Sequence, residues 1–379
     1  MARLGDIATY INGYAFKPSD WSSEGLPIIR IQDLTGNSYQ LNRYNGEYDT
    51  RYEVYPGDVL ISWSASLGVY VWGKEKALLN QHIFKVVFDK QPVDKNFFVY
   101  QVQNILDKAA SQAHGATMKH LTKPVFDALP FYLPPLPEQQ HIAAVLDQVS
   151  ELISLRRQQL TKLDELVKAR FVEMFGDPLI NSLGLGTKPM TEVCVIIDGD
   201  RGKNYPTADE FTDDGYCLFL NAKNVTSEGF NFDTCMFISK EKDEALRKGK
   251  LSRGDVVLTT RGTLGNLAFY TNEIPFEHVR INSGMVILRM KPDIVDEVYF
   301  IEQFKMQLAD IKEKIASGSA QPQLPISTMT KINILIPNIG EQKRFAAFVK
   351  QIGKSKAVIQ QSLEKLELLK KSLMQEYFG

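Results

Sequence analysis

Residues 134–152 read PPLPEQQHIAAVLDQVSEL, and residues 337–355 read PNIGEQKRFAAFVKQIGKS. Each opens on proline, which holds the preceding backbone extended, then runs through Glu-Gln into apolar residues at helical spacing. Each is therefore a helix start. Written once, such a start is commonplace; written twice, it makes the chain a repeat.

Other landmarks recur in the same order. Gly115 of HGATMKHL matches Gly318 of SGSAQPQL, and PGDVLISWSASLG (56–68) matches RGDVVLTTRGTLG (253–265). LGDIATYINGY (4–14) resembles MTEVCVIIDGD (190–200), and both copies end in Phe-Gly, at Phe175-Gly176 and Phe378-Gly379. The spacing between the early landmarks grows in the second copy, so the frame is kept while the loops differ. Loops on a rigid scaffold are where binding residues sit, and two similar frames with different loops imply two related but different ligands.

In each copy the front part is rich in short β patterns: DVLISW and IFKVVF in the first, CLFLNA, DVVLTT and GMVILRM in the second, separated by Gly, Asp and Asn. A compact α/β domain is expected from each. NFFVYQVQNILDKAASQ and EVYFIEQFKMQLADIKEKIAS each predict a helix, stopped by Gly115 and Gly318. The back part is a longer helix. Phe345, Ile352, Ile359, Leu366 and Leu373 recur every seven residues in the second copy; Ile142, Val149, Arg156, Leu163 and Arg170 hold the equivalent row in the first. Sustained heptads point to coiled-coil packing, which the two arginines on the seam locally weaken. The expected fold is α+β: two similar α/β domains joined by two long helices that form an antiparallel coiled coil, a pseudo-two-fold internal repeat. The expected boundaries are a first domain over 1–133, the first long helix over 134–178, a second domain over 179–336 and the second long helix over 337–379. A helix of about 30 residues is ~45 Å long, so an antiparallel pair would hold the two domains at the ends of a stiff spacer.

Composition narrows the function. The 379 residues, 44% hydrophobic, suffice for two cores, and 44 Lys+Arg against 45 Asp+Glu exclude a protein that coats nucleic acid by bulk charge. Any phosphate-binding surface must be local. No apolar run spans a membrane and the start lacks a signal-peptide pattern, so a cytoplasmic location is expected. Cys194, Cys217 and Cys235 lack CxxC spacing, and His82, His114, His120, His141 and His278 lack ligand spacing, so no metal site is expected. There is no GxGxxG after a strand, no Walker loop, no HExxH and no Asn-Pro-Pro-Tyr type motif. Asp293 with Asp310 and Lys312 formally mimics a nuclease set, but it lies partly on a predicted helix and has no counterpart in the first copy. No catalytic residue is expected.

The order variable domain, helix, variable domain, helix resembles the specificity (S) subunit of type I restriction-modification enzymes. The marks are LPPLPEQQHIAAVLD with FVEMFGDP, IPNIGEQKRFAAFVK with KKSLMQEYFG, and the pair GDVLISWSASLG and GDVVLTTRGTLG, so the resemblance covers essentially the whole chain. PNIGEQ departs from PPLPEQ only in the turn before the second helix. The resemblance implies a non-catalytic reader of double-stranded DNA with two target recognition domains, each reading half of a split asymmetric site. It further implies two methyltransferase (M) subunits and restriction/translocase (R) subunits as partners. S-adenosylmethionine, ATP and Mg would belong to those partners, and no cofactor to this chain. A scaffold with two peptide-binding domains on a coiled coil would share the architecture.

DNA reading needs Arg, Lys, Asn and Gln on loops, where they meet base edges and phosphates. In the first domain the candidates are Lys17, Arg30, Arg43, Lys74, Gln81, His82, Lys119 and Lys123. In the second they are Arg201, Lys203, Asn204 and Tyr205 of GDRGKNYP, with Arg261 of TTRGTLG.

Overall fold

The computed structural model describes residues 2–36, 42–112, 121–316 and 323–379. The chain divides into two units, Met1–Gln158 with Gln360–Gly379, and Gln159–Ile359. Among its helices are α1 (Lys95–Gln112), α2 (Leu136–Phe175), α3 (Lys240–Ala245), α4 (Glu297–Ala316) and α5 (Ile339–Phe378). The five β patterns read from the sequence form strands Val59–Ser62, Ile83–Val87, Cys217–Leu220, Val256–Thr259 and Met285–Met290. The proposed helix stops, Gly115 and Gly318, lie outside the described residues.

Each unit is built on the same antiparallel sheet. In the first the strand order is Thr9–Asn12, Ile83–Val87, Val59–Ser62, Gly68–Val71. In the second it is Cys194–Asp198, Met285–Met290, Val256–Thr259, Leu267–Phe269. A second, smaller sheet in each unit contains one parallel pair, Leu26–Ile29 with Ala77–Leu79 and Cys217–Leu220 with Val279–Ile281. Gly13 and Gly199 follow the first strand of each large sheet at the same place. A Cβ there would fall 2.0 Å from the Asn80 carbonyl oxygen or 2.2 Å from that of Asn282, so only glycine lets these backbones meet.

The repeated Glu-Gln has a physical reason. Gln139 and Gln342 are 1% and 0% exposed. The Gln139 amide donates to the Pro134 carbonyl at 2.8 Å and accepts from the Asp94 N–H at 2.9 Å. Gln342 likewise donates to the Pro337 carbonyl at 2.9 Å and accepts from the Asp296 N–H at 2.9 Å. Asp94 and Asp296 in turn accept N–H bonds from Phe97 and Tyr299, in the first turns of α1 and α4. One buried side chain thus ties the proline-led approach of a long helix to the start of the preceding helix.

Within each unit the long helices run antiparallel. In the first, Arg157 of α2 pairs with Glu367 of α5 at 2.7 Å, and Ile142 and Leu146 share a core with Leu373, Met374 and Phe378. In the second, Asp164 of α2 pairs with Lys356 of α5 at 2.7 Å, and Phe171 meets Phe345 with ring centres 5.4 Å apart. Arg156 and Arg170, expected on the seam, are half-buried there, and Arg170 pairs with Glu173 at 2.7 Å.

The smaller sheets differ in one buried pair. In the first unit Ile28 pairs with Leu78, both fully buried; in the second the matching partners are Phe219 and Arg280. Arg280 is 5% exposed, its Nε donates to the Asp243 carboxylate, and Lys250 pairs with the other carboxylate oxygen. Its two terminal nitrogens donate to the carbonyls of Lys248, Asp243 and Leu246 at 2.7, 2.7 and 3.1 Å. One guanidinium therefore closes the C-terminal end of α3 and clasps the loop after it.

Candidate nucleic-acid interface

In the first unit the candidates form separate groups. Arg30 lies over the Trp21 ring at 5.2 Å and Lys74 over Trp72 at 5.8 Å. Arg43 donates to the Gly25 carbonyl at 2.8 Å and pairs with Glu75 at 3.0 Å, while Lys123 pairs with Asp127 at 2.6 Å. These last two cations already hold internal carboxylates. Lys17 is exposed, with its backbone N–H bonded to Asp20. Gln81 is exposed beside His82, whose ring meets that of Trp63 at 4.9 Å. Lys119 lies outside the described residues.

The second unit brings more of its candidates together. Asp200, 6% exposed, accepts the N–H groups of Gly202 and Arg247, each at 2.8 Å. Those two N–H bonds hold its carboxyl below the usual carboxylate range. The loop carrying Arg201 and Lys203 is thereby fastened to the loop that Arg280 clasps. Asn204 donates to the Ala245 carbonyl at 3.0 Å and Tyr205 packs on Phe219, so both serve the loop's own architecture. Arg201 pairs with Asp198 at 3.0 Å and donates to the Ser283 carbonyl at 3.2 Å. Arg201 and Arg261 line one cleft of about 370 Å³ with Asp198, Thr260 and Gln323. Gln323 was not among the sequence candidates. Its only sequence signal is a polar residue flanked by Pro322 and Pro325, and it reaches the cleft because it forms an antiparallel bridge with Arg261.

Among the described residues no group of three His, Cys, Asp or Glu side chains is placed to hold a metal ion. Asp310 of α4 pairs with Lys314 at 2.7 Å on the helix surface. The three cysteines are free, and burial pushes the Cys194 and Cys217 thiols up to about 12. No helix among the described residues is long and apolar enough to cross a membrane.

Two sheet-based units with unlike loops and paired long helices define a class of protein, and comparison with known proteins identifies it. The type I restriction modification DNA specificity domain matches residues 1–165 and again 185–368, and the chain belongs to that family. It is 24% identical to the specificity subunit of the type I restriction enzyme EcoBI of Escherichia coli, over 92% of this chain and 78% of that one. It is 22% identical to the MjaVIII specificity subunit of Methanocaldococcus jannaschii, over 99% of this chain and 90% of the other. The crystal structure of a type I S subunit from M. genitalium shares the fold, with a TM-score of 0.56 at 15% identity over 100% of this chain and 95% of that one.

Proposed function

We propose that this chain is the DNA-recognition subunit of a type I restriction-modification complex. Each unit reads one half of a split, asymmetric site in double-stranded DNA, and the long helices serve as the spacer and as the docking surface for methyltransferase subunits. The observation that carries this reading is the same sheet built twice with different residues at its loop ends, notably Trp63-Ser64 in one unit and Thr260-Arg261 in the other. One frame with two loop sets suits one chemistry applied to two different sequences.

The chain acts without chemistry of its own. Two methyltransferase subunits supply S-adenosylmethionine chemistry on adenine, and restriction subunits supply ATP- and Mg-dependent translocation and cleavage, all in the cytoplasm. The purified chain alone is expected neither to methylate nor to cut DNA, and to direct adenine methylation at one split site when co-produced with a matching modification subunit. A methyl-transfer assay on the two preparations checks this; turnover by the isolated, clean chain would refute it. Sequence-dependent DNA binding by the complex separates this reading from a peptide-binding scaffold, which would show none.

A further inference from the structure

We infer that the cleft of the second unit reads a guanine through Arg261, with Gln323 on the adjoining base pair. The inference rests on the DNA-reading function proposed above and assigns the chemistry of one part of it. Arg261 and Gln323 are both exposed, and no ion pair holds Arg261 among the described residues. Their antiparallel bridge sets them directly opposite, and the Leu324 N–H donates to the Thr260 carbonyl at 3.1 Å, fixing that register. Residues opposite each other in such a bridge project to the same face, so the guanidinium and the amide stand side by side.

The geometry of the cleft suits a base edge. Arg201 is already held by Asp198 and the Ser283 carbonyl, which leaves Arg261 as the free fork among the described residues. Asp198 and Arg201 neutralise each other, so the Arg261 guanidinium carries the net charge of the cleft. A free guanidinium matches the two acceptors of guanine, O6 and N7, in the major groove. Gln323 beside it offers a donor and an acceptor, the complement of the adenine edge.

The first unit shows what the same frame looks like with this cleft filled. By strand register, Asn12 and Phe84 there stand where Asp198 and Val286 stand here, and Trp63 and Leu121 stand where Thr260 and Leu324 do. The Trp63 indole stacks on Phe84 with ring centres 5.6 Å apart and donates to the Asn12 side chain at 3.3 Å. An indole thus takes the space that Thr260 leaves open. Among the described residues the cleft is open in the second unit and filled in the first.

The test uses the full chain co-produced with its modification subunits, with methylated adenines mapped genome-wide. Arg261→Ala and Arg261→Lys should each relax one guanine position in the half-site read by the second unit by about 10- to 100-fold, because lysine keeps the charge but not the fork. Gln323→Ala should relax the adjoining position, and Thr260→Trp should fill the cleft and relax both. The other half-site should be unchanged in all four. A uniform decline with every base preference kept would make Arg261 a phosphate contact and overturn the inference, as would a change confined to the other half-site. If the wild-type complex directs no methylation, the DNA-reading function itself fails and takes the inference with it.

Discussion

Arg280→Ala is expected to cost the second unit about 3–5 kcal/mol, because it strips a buried carboxylate of one of its two partners and leaves buried carbonyls without donors. Arg280 and Asp243 are 5% and 1% exposed, and the guanidinium also serves three backbone carbonyls. Arg280→Lys should not rescue the loss, since one ammonium cannot reproduce that fork. Burial works against ionisation of Asp243, but the bonds from Lys250 and Arg280 outweigh it and hold the carboxyl below its usual range. A carboxyl depressed in the folded state stabilises above its unfolded pKa, so this contribution is present at neutral pH and fades as pH falls through the acidic range. The measurement is urea unfolding of the full chain. All three tryptophans, Trp21, Trp63 and Trp72, belong to the first unit, so fluorescence follows that unit while far-UV circular dichroism follows both. The dichroism transition should move to lower urea while the fluorescence transition stays; superimposable wild-type and variant curves would show that the cluster contributes nothing.

Phe345→Ala should cost about 3–5 kcal/mol as well, through a cavity between the long helices of the second unit. Phe345 is fully buried, with its ring centre 5.4 Å from Phe171, 5.7 Å from Phe175 and 6.4 Å from Tyr299. Deleting it removes one wall of an aromatic cluster whose other members are held on α2 and α4. Leu369→Ala on the same helix, at a position 46% exposed, should change stability by no more than about 0.5 kcal/mol. The same denaturation series checks both, and equal losses at the two positions would contradict the assigned packing.

The repeat, the five strands and the four longer helices were legible because their signals are local. Proline and glycine punctuate the chain, apolar residues recur with period two or seven, and the Glu-Gln start is written twice. The reason for that start was not legible: Gln139 and Gln342 are polar residues in a polar-looking stretch, and only the fold shows them buried against Asp94 and Asp296. Arg280 likewise sits in a segment that reads as an ordinary loop edge, and its acid lies on a helix far off in sequence. The cleft of the second unit was half legible. Arg201 and Arg261 do meet at one cleft, but Gln323 joins them through a bridge that no spacing announces. Arg43 and Lys123 could not be told from free cations, because the carboxylates that hold them are placed by the fold, Glu75 in the bend before Ala77–Leu79 and Asp127 at the end of a short helix.

That each unit reads its own half of one split site is tested most directly by exchanging residues 1–133 for the matching segment of another family member, just before the proline-led start of α2. The exchanged chain is produced with its own modification subunits, and methylated adenines are mapped beside those of the wild type. The expected map keeps the half-site read by the second unit and replaces the other. A map in which both halves change, or neither does, would contradict independent reading by the two units.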